Sequence, residues 1–195
     1  MQKPYIKLDQ DFPGIVSLFM FDREVASRLT AMGQTIMRRP RGLSVGDREL
    51  IGAFVSKLND CNFCCDSHTA CAKEYLGSDL VDEYIHECNS EVLPLKLRCL
   101  MCVAVSVQSL DRESLPKHIA YAKTLGATDE EIHDTVLVTA FFSMCNRYVD
   151  GLGTTCRIGE AEQGGQGLAR YGYKMGIRRF FREVIPKLWN KVFSS

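Results

Sequence analysis

Eight consecutive residues, Cys61-Asn62-Phe63-Cys64-Cys65-Asp66-Ser67-His68, hold the densest chemistry in the chain, and Glu49 stands a short distance before them. Positions three and four apart share a helix face, so a helix starting here lines Cys61, Cys64 and His68 along one stripe. Two thiols one turn apart can close a disulfide if the helix end yields slightly. An imidazole one turn further on can take or return a thiol proton, and a carboxylate from a preceding helix can complete a relay. The thiolate is the reactive form of cysteine, and an ordinary thiol with a pKa near ~8.5 is mostly protonated at neutral pH. The positive end of a helix macrodipole favours the anion. Cys61, at the predicted helix start, is expected to receive most of that effect, while Cys64 depends on His68 and Glu49. A thiolate so prepared attacks a peroxide O–O bond to give a sulfenic acid. A second thiol condenses with it, and an external reductant reopens the disulfide.

The same residue types can hold zinc. Cys61, Cys64 and His68 supply three ligands, with Cys65 or Cys71 as a fourth. No second Cys-x-x-Cys lies at finger spacing, because Cys99-Leu100-Met101-Cys102 sits in an apolar run and reads as core filling. Redox chemistry is therefore the leading reading, and a zinc-stabilised or redox-sensing scaffold without catalysis is the alternative. Glu49 alone is a weak signal, since Asp47 serves equally well as an acidic partner of a helix start. His86, His118 and His133 read as isolated surface or satisfied polar residues. Cys65, Cys71, Cys88, Cys145 and Cys156 read as small buried hydrophobes, of which Cys65 and Cys71 are near enough in sequence to interfere with the site.

These groups need elements to position them. Apolar positions at helical spacing predict a helix from Ser17 to Arg38, stopped by Pro40. Ser44, with Asp47 three residues on, predicts an N-cap for a helix to Leu58 that turns Leu50, Ile51, Phe54, Val55 and Leu58 to the core. Asn59-Asp60 breaks it, and Asp60 is expected to cap the next helix, from Cys61 to Leu76, which Gly77 ends. Further helices are predicted over Leu80–Cys88, Leu95–Ser109 (central in the core) and Arg112–Leu125. Thr128-Asp129-Glu130-Glu131 is a second capping signal, opening a helix to Ser143 or Tyr148. Ser44–Leu58 and Thr128–Phe142 echo one another, each with a cap, an acidic first turn and an apolar run. That echo suggests a duplicated helical hairpin, with Met144-Cys145-Asn146-Arg147 where the first copy has its cysteine pair.

The character changes at Gly159. Gly164-Gly165-Gln166-Gly167 reads as a flexible link. Beyond it, Arg170, Lys174, Arg178, Arg179, Arg182, Lys187 and Lys191 flank an apolar face of Ile177, Phe180, Phe181, Val184, Leu188 and Trp189. The expected division is residues 1–158 as one helical domain and 159–195 as linker plus basic amphipathic helix. Packing across a subunit interface is the favoured reading of this tail, and a membrane-surface anchor the second.

Composition sets outer bounds. With 195 residues, 46% of them hydrophobic, the chain can bury one sizeable core. Its 24 Lys and Arg balance 24 Asp and Glu, so no global field points to nucleic acid or to an anionic membrane. No apolar run is long enough to span a bilayer, and Met1-Gln2-Lys3-Pro4 does not open a secretory signal. Nine cysteines, an odd number, argue for reduced thiols and a cytoplasmic setting over an extracellular disulfide framework.

The spacing Glu49-x11-Cys61-x2-Cys64-x3-His68 resembles the signature of the AhpD-like alkylhydroperoxidases, in the peroxidase-related branch of the carboxymuconolactone decarboxylase family. The Thr128–Ile132 start and the Phe142–Gly153 stretch, with Asn146-Arg147, Asp150 and Gly151-Leu152-Gly153, also look like that family. The resemblance covers residues 15–158. It implies an all-α fold, a homo-oligomer built as a trimer or hexamer, and hydroperoxide reduction without a cofactor. By it, Cys64 matches the cysteine that attacks peroxide, Cys61 the partner that resolves it, and Glu49 and His68 the proton relay. A dithiol reductant protein is the implied electron donor, and a hydroperoxide the substrate. One departure stands out: the best-known AhpD members have a relay histidine before the second cysteine, where this chain has Phe63. Lyases of the same fold generally lack the cysteine pair, which speaks against a decarboxylase here.

Overall fold

Capping residues set most of the helix boundaries. The computed structural model describes residues 3–8, 12–154, 156–157 and 159–173, and these contain helices and no strand. The order is α1 (Ile15–Phe21), α2 (Arg23–Arg38), α3 (Val45–Leu58), α4 (Asn62–Leu76), α5 (Ser78–Ile85), α6 (Leu95–Gln108), α7 (Ser114–Thr124), α8 (Asp129–Gly151) and α9 (Glu160–Tyr171), with a short 3-10 turn over Ser90–Val92. Helix α3 packs on α4 and α8, α6 packs on α7 and α8, and α4 is covered by α9.

The single helix expected over Ser17–Arg38 is two helices. Asp22 leaves the helical region and its carboxylate accepts from the backbone N–H groups of Glu24 and Val25 at 3.1 and 3.0 Å, capping α2. The apolar spacing ran across the break because it included Phe21, Val25 and Met32, all exposed, together with Leu18 and Ile36, which are buried.

Ser44 caps α3 as expected, accepting from the Asp47 N–H at 3.0 Å. Leu50, Ile51 and Val55 are fully buried, whereas Leu58 faces outward. The turn after α3 differs from the expectation. Asp60 takes a positive φ of 57° and does not cap; Cys61 itself occupies the N-cap position of α4. Side-chain amides hold that turn from three helices. Asn59 donates to Asn146 Oδ1 at 2.9 Å, Asn146 donates to Ser56 Oγ at 3.0 Å, and Gln108 donates to Asn59 Oδ1 at 2.9 Å. The Cys61 N–H donates to the Ser56 carbonyl at 3.0 Å, so the same polar cluster fixes the start of α4.

Gly77 ends α4 with φ 88°, a conformation that favours glycine. Helix α6 turns Leu97, Leu100, Met101, Val103 and Ala104 into the core, as expected of a central helix. Cys99 fills core space there, but Cys102 is exposed. At Thr128 the full capping box forms: Thr128 Oγ1 accepts from the Glu131 N–H at 3.1 Å, and Glu131 Oε2 accepts from the Thr128 N–H at 2.8 Å. The helix it opens runs to Gly151, past the expected end. A buried ion pair ties α8 to α3. Arg48, fully buried, donates to Asp134 Oδ2 at 2.7 Å, and the Leu43 N–H donates to the same oxygen at 3.1 Å.

The glycine-rich stretch expected to be a flexible link is the interior of α9. Gly165 is buried against α4, and a β-carbon at this position would lie 2.0 Å from the Ser67 carbonyl oxygen. Its glycine serves close helix approach, not flexibility. The predicted basic amphipathic helix, residues 174–191, lies outside the described residues. No helix among the described residues is long and apolar enough to cross a membrane.

Candidate active site

Helix α4 brings Cys61, Cys64 and His68 onto one side, and α3 presents Glu49 to them. Cys61 and Cys64 are free thiols, both buried, with Cys61 fully so. The two share a hydrogen bond in which the Cys61 thiol serves Cys64. This bond, then burial, pushes Cys61 strongly upward, so Cys61 holds its proton. That reverses the expectation that the helix start favours the Cys61 anion: at the N-cap, its thiol has Cys64 and Asp150 as neighbours, and the macrodipole does not prevail. The Asp150 carboxylate is raised by partial burial, an effect that the neighbouring Cys61 thiol partly offsets.

Glu49 is wholly buried. Its Oε2 lies 2.6 Å from His68 Nδ1 and its Oε1 lies 2.5 Å from Arg38 Nη1. Burial alone would raise its pKa, but the His68 and Arg38 charges and hydrogen bonds outweigh that, holding Glu49 below the ordinary carboxylate range. With Nδ1 turned to the carboxylate, Nε2 is the ring nitrogen left to exchange a proton. The His68 ring meets the edge of Phe142 at 4.5 Å between centroids and stacks at 14° on Tyr173, 6.3 Å away.

Cys64 and His68 together open on a cavity of about 170 Å³ whose other walls are largely apolar, including Phe19, Phe63, Phe141, Phe142 and Leu168. Cys61 and Glu49 lie behind this wall. Cys64 and His68 thus share one chamber, while Cys61 and Glu49 sit in the second rank. Phe63, in place of the histidine of the best-known AhpD members, contributes apolar wall.

Three residues of the site were not found by spacing. Arg38 ends α2, and its guanidinium also reaches the Cys71 sulfur at 3.6 Å and the Leu168 carbonyl at 3.1 Å. Tyr173 follows α9 and donates to Glu49 Oε1 at 3.2 Å. Cys145, on α8, also lines the cavity; burial pushes its thiol up to about 12. Of the two spare thiols near the pair in sequence, Cys71 is raised by burial and by Glu49, and Cys65 by burial, so both keep their protons. Cys88, expected to be buried, is exposed. His118 bonds Ser106 at 3.0 Å, a satisfied polar residue as expected.

The ligand set of the zinc reading does not assemble: among the described residues no three His, Cys, Asp or Glu side chains are grouped to hold a metal ion.

Residues 23–79 and 77–154 each match the carboxymuconolactone decarboxylase family, together more than half of the sequence. The chain belongs to this family. The double match places one copy of the echo, Ser44–Leu58, in the first half and the other, Thr128–Phe142, in the second. This family member has the AhpD-like all-α fold. A crystal structure of an uncharacterized peroxidase-related protein from Silicibacter sp. TM1040 superposes with a TM-score of 0.66 at 25% identity, over 75% of this chain and 78% of that one. The alkylhydroperoxidase AhpD core of an uncharacterized peroxidase-related protein from Ralstonia eutropha JMP134 gives a TM-score of 0.69 at 23% identity, over 78% and 81%. Among curated proteins none matches this chain.

Proposed function

We propose that this protein reduces organic hydroperoxides through a Cys64–Cys61 dithiol cycle, with His68 and Glu49 moving the protons. The observation that carries the reading is that Cys64 and His68 share an apolar cavity, with a protonated Cys61 bonded behind Cys64 and an ionised Glu49 bonded behind His68. His68 Nε2 takes the Cys64 proton. The thiolate attacks the terminal peroxide oxygen, the O–O bond breaks, and His68 returns the proton to the departing alkoxide, giving the alcohol and a Cys64 sulfenic acid. The Cys61 thiol then attacks that sulfur, forming the disulfide and releasing water. A dithiol reductant protein exchanges with the disulfide, is itself oxidised, and restores both thiols. The kinship to a peroxidase-related protein supports this assignment. Cytoplasmic action, and assembly of the protein as a homo-oligomer, are part of the same proposal.

Pre-reduced Cys64→Ser protein should consume no cumene hydroperoxide. Cys61→Ser should complete one oxidation and stop at a sulfenic acid that dimedone captures. Unchanged turnover in Cys64→Ser would overturn the reading.

A further inference from the structure

Behind the catalytic wall, one group in direct contact with the proton relay has no part in the reaction described above. Tyr173 lies outside the residues that match the family and reaches the relay from the end of α9. Its O–H donates to Glu49 Oε1 at 3.2 Å, lies 3.5 Å from Oε2, and is 3.4 Å from His68 Nδ1. Its ring is parallel to the His68 ring and 5.1 Å from the Arg38 guanidinium. Its backbone is anchored too, because its N–H donates to Gln34 Oε1 at 2.9 Å. We propose that Tyr173 is a positioning residue of the redox site: its phenol holds the Glu49 carboxylate in line with His68 Nδ1–H and limits how strongly that carboxylate raises the basicity of Nε2. The proposal rests on the peroxidase reading for its effect on rate, but not for its effect on His68.

The two oxygens of Glu49 accept from Arg38, His68 and Tyr173, and the Cys71 thiol also lies against the carboxylate. A neutral donor on the carboxylate draws off part of its charge, so less is available to stabilise an imidazolium. The phenol cannot serve as a base, because burial and the adjacent Glu49 charge hold it well above the ordinary tyrosine range. It therefore acts as a permanent donor. The other charged or titratable groups around it are Arg38 on α2, Glu49 on α3, and His68, Cys71 and Tyr75 on α4. Phe142, on α8, adds only an apolar edge to His68.

Tyr173→Phe keeps the ring and its stacking and removes only the donor. His68 should then titrate higher by about one pH unit, the size expected for one hydrogen bond to a charged group. The acid limb of the pH profile for Cys64 oxidation by cumene hydroperoxide should move the same way. Oxidation should be about tenfold slower at the acid end of the profile and converge on wild type at its alkaline end. His68 is followed by imidazole NMR in the full-length reduced protein, which needs no peroxide. A shift of the His68 titration with the expected sign supports the assignment, even if the wild-type protein proves inert to hydroperoxide; that second result would sink only the peroxidase reading. An unchanged titration, or a loss of rate equal at every pH, overturns the assignment and leaves Tyr173 as packing. Should Tyr173→Phe fail to fold, Gln34→Ala releases the backbone anchor, and the same titration should move in the same direction by less.

Discussion

Whether α9 is a linker or a packed helix decides what covers the candidate site, and two glycines test it in opposite directions. Alanine is favoured over glycine in a helix interior by ~1 kcal/mol. At Gly167 a β-carbon meets nothing within 4 Å. Gly167→Ala should therefore gain the full propensity, raising the melting temperature by ~2–4 °C for a chain of this size. At Gly165 the β-carbon would lie 2.0 Å from the Ser67 carbonyl oxygen and 2.8 Å from the Ala70 β-carbon. Backbone cannot swing aside as a side chain can, so α9 must lift from α4. Overpacking of this kind costs ~1–3 kcal/mol. Set against the ~1 kcal/mol propensity gain, the net is a loss of up to ~2 kcal/mol. That lowers the melting temperature by up to ~8 °C. Far-UV circular dichroism melts of both variants measure the sign. Because α9 carries Leu168 and leads into Tyr173, Gly165→Ala should also speed alkylation of Cys64 by iodoacetamide. Equal stabilisation of both variants would refute the packing of α9 on α4.

Two further predictions concern charges and caps. Glu49→Gln leaves the part-buried Arg38 without its counter-ion and should destabilise near neutrality by less than the ~3–5 kcal/mol of a fully buried pair. Because the folded Glu49 lies below the ordinary 4.5, its contribution is complete above that value and is lost as pH falls through the folded value. Urea melts should accordingly show a flatter acid dependence below about pH 4.5 in Glu49→Gln than in wild type, and parallel curves would contradict the ionised assignment. Thr128→Ala removes one half of the capping box and should cost ~0.5–2 kcal/mol, read as a lower urea midpoint with an unchanged slope.

Much of this arrangement was legible in the sequence where the physics is local. Ser44, Thr128 and Gly77 act within one turn of themselves, and each sets a helix boundary as read. The stripe of Cys61, Cys64 and His68 is set by helical periodicity, and Glu49 arrives because α3 and α4 are joined by a short turn. The failures share a different cause. At Asp22 an apolar rhythm continued across a real break, because several of its residues are exposed and mark no core face. At Gly164–Gly167 composition suggested freedom, yet Gly165 is required by the backbone of another helix. Cys61 was given the benefit of the helix end, but its neighbouring thiol and its burial decide its protonation. Arg38 and Tyr173 reach Glu49 from 11 and 124 residues away, and no periodicity encodes such meetings.

The central claim is that Cys64 and Cys61 form a peroxide-driven redox pair. Its most direct test is intact mass and peptide mapping, with alkylation of free thiols, after stoichiometric cumene hydroperoxide is added to reduced protein. The account predicts loss of two hydrogens, a Cys61–Cys64 crosslink, and full reversal by dithiothreitol. Oxidation found elsewhere, or a Cys64 that remains fully alkylatable after peroxide, would contradict it.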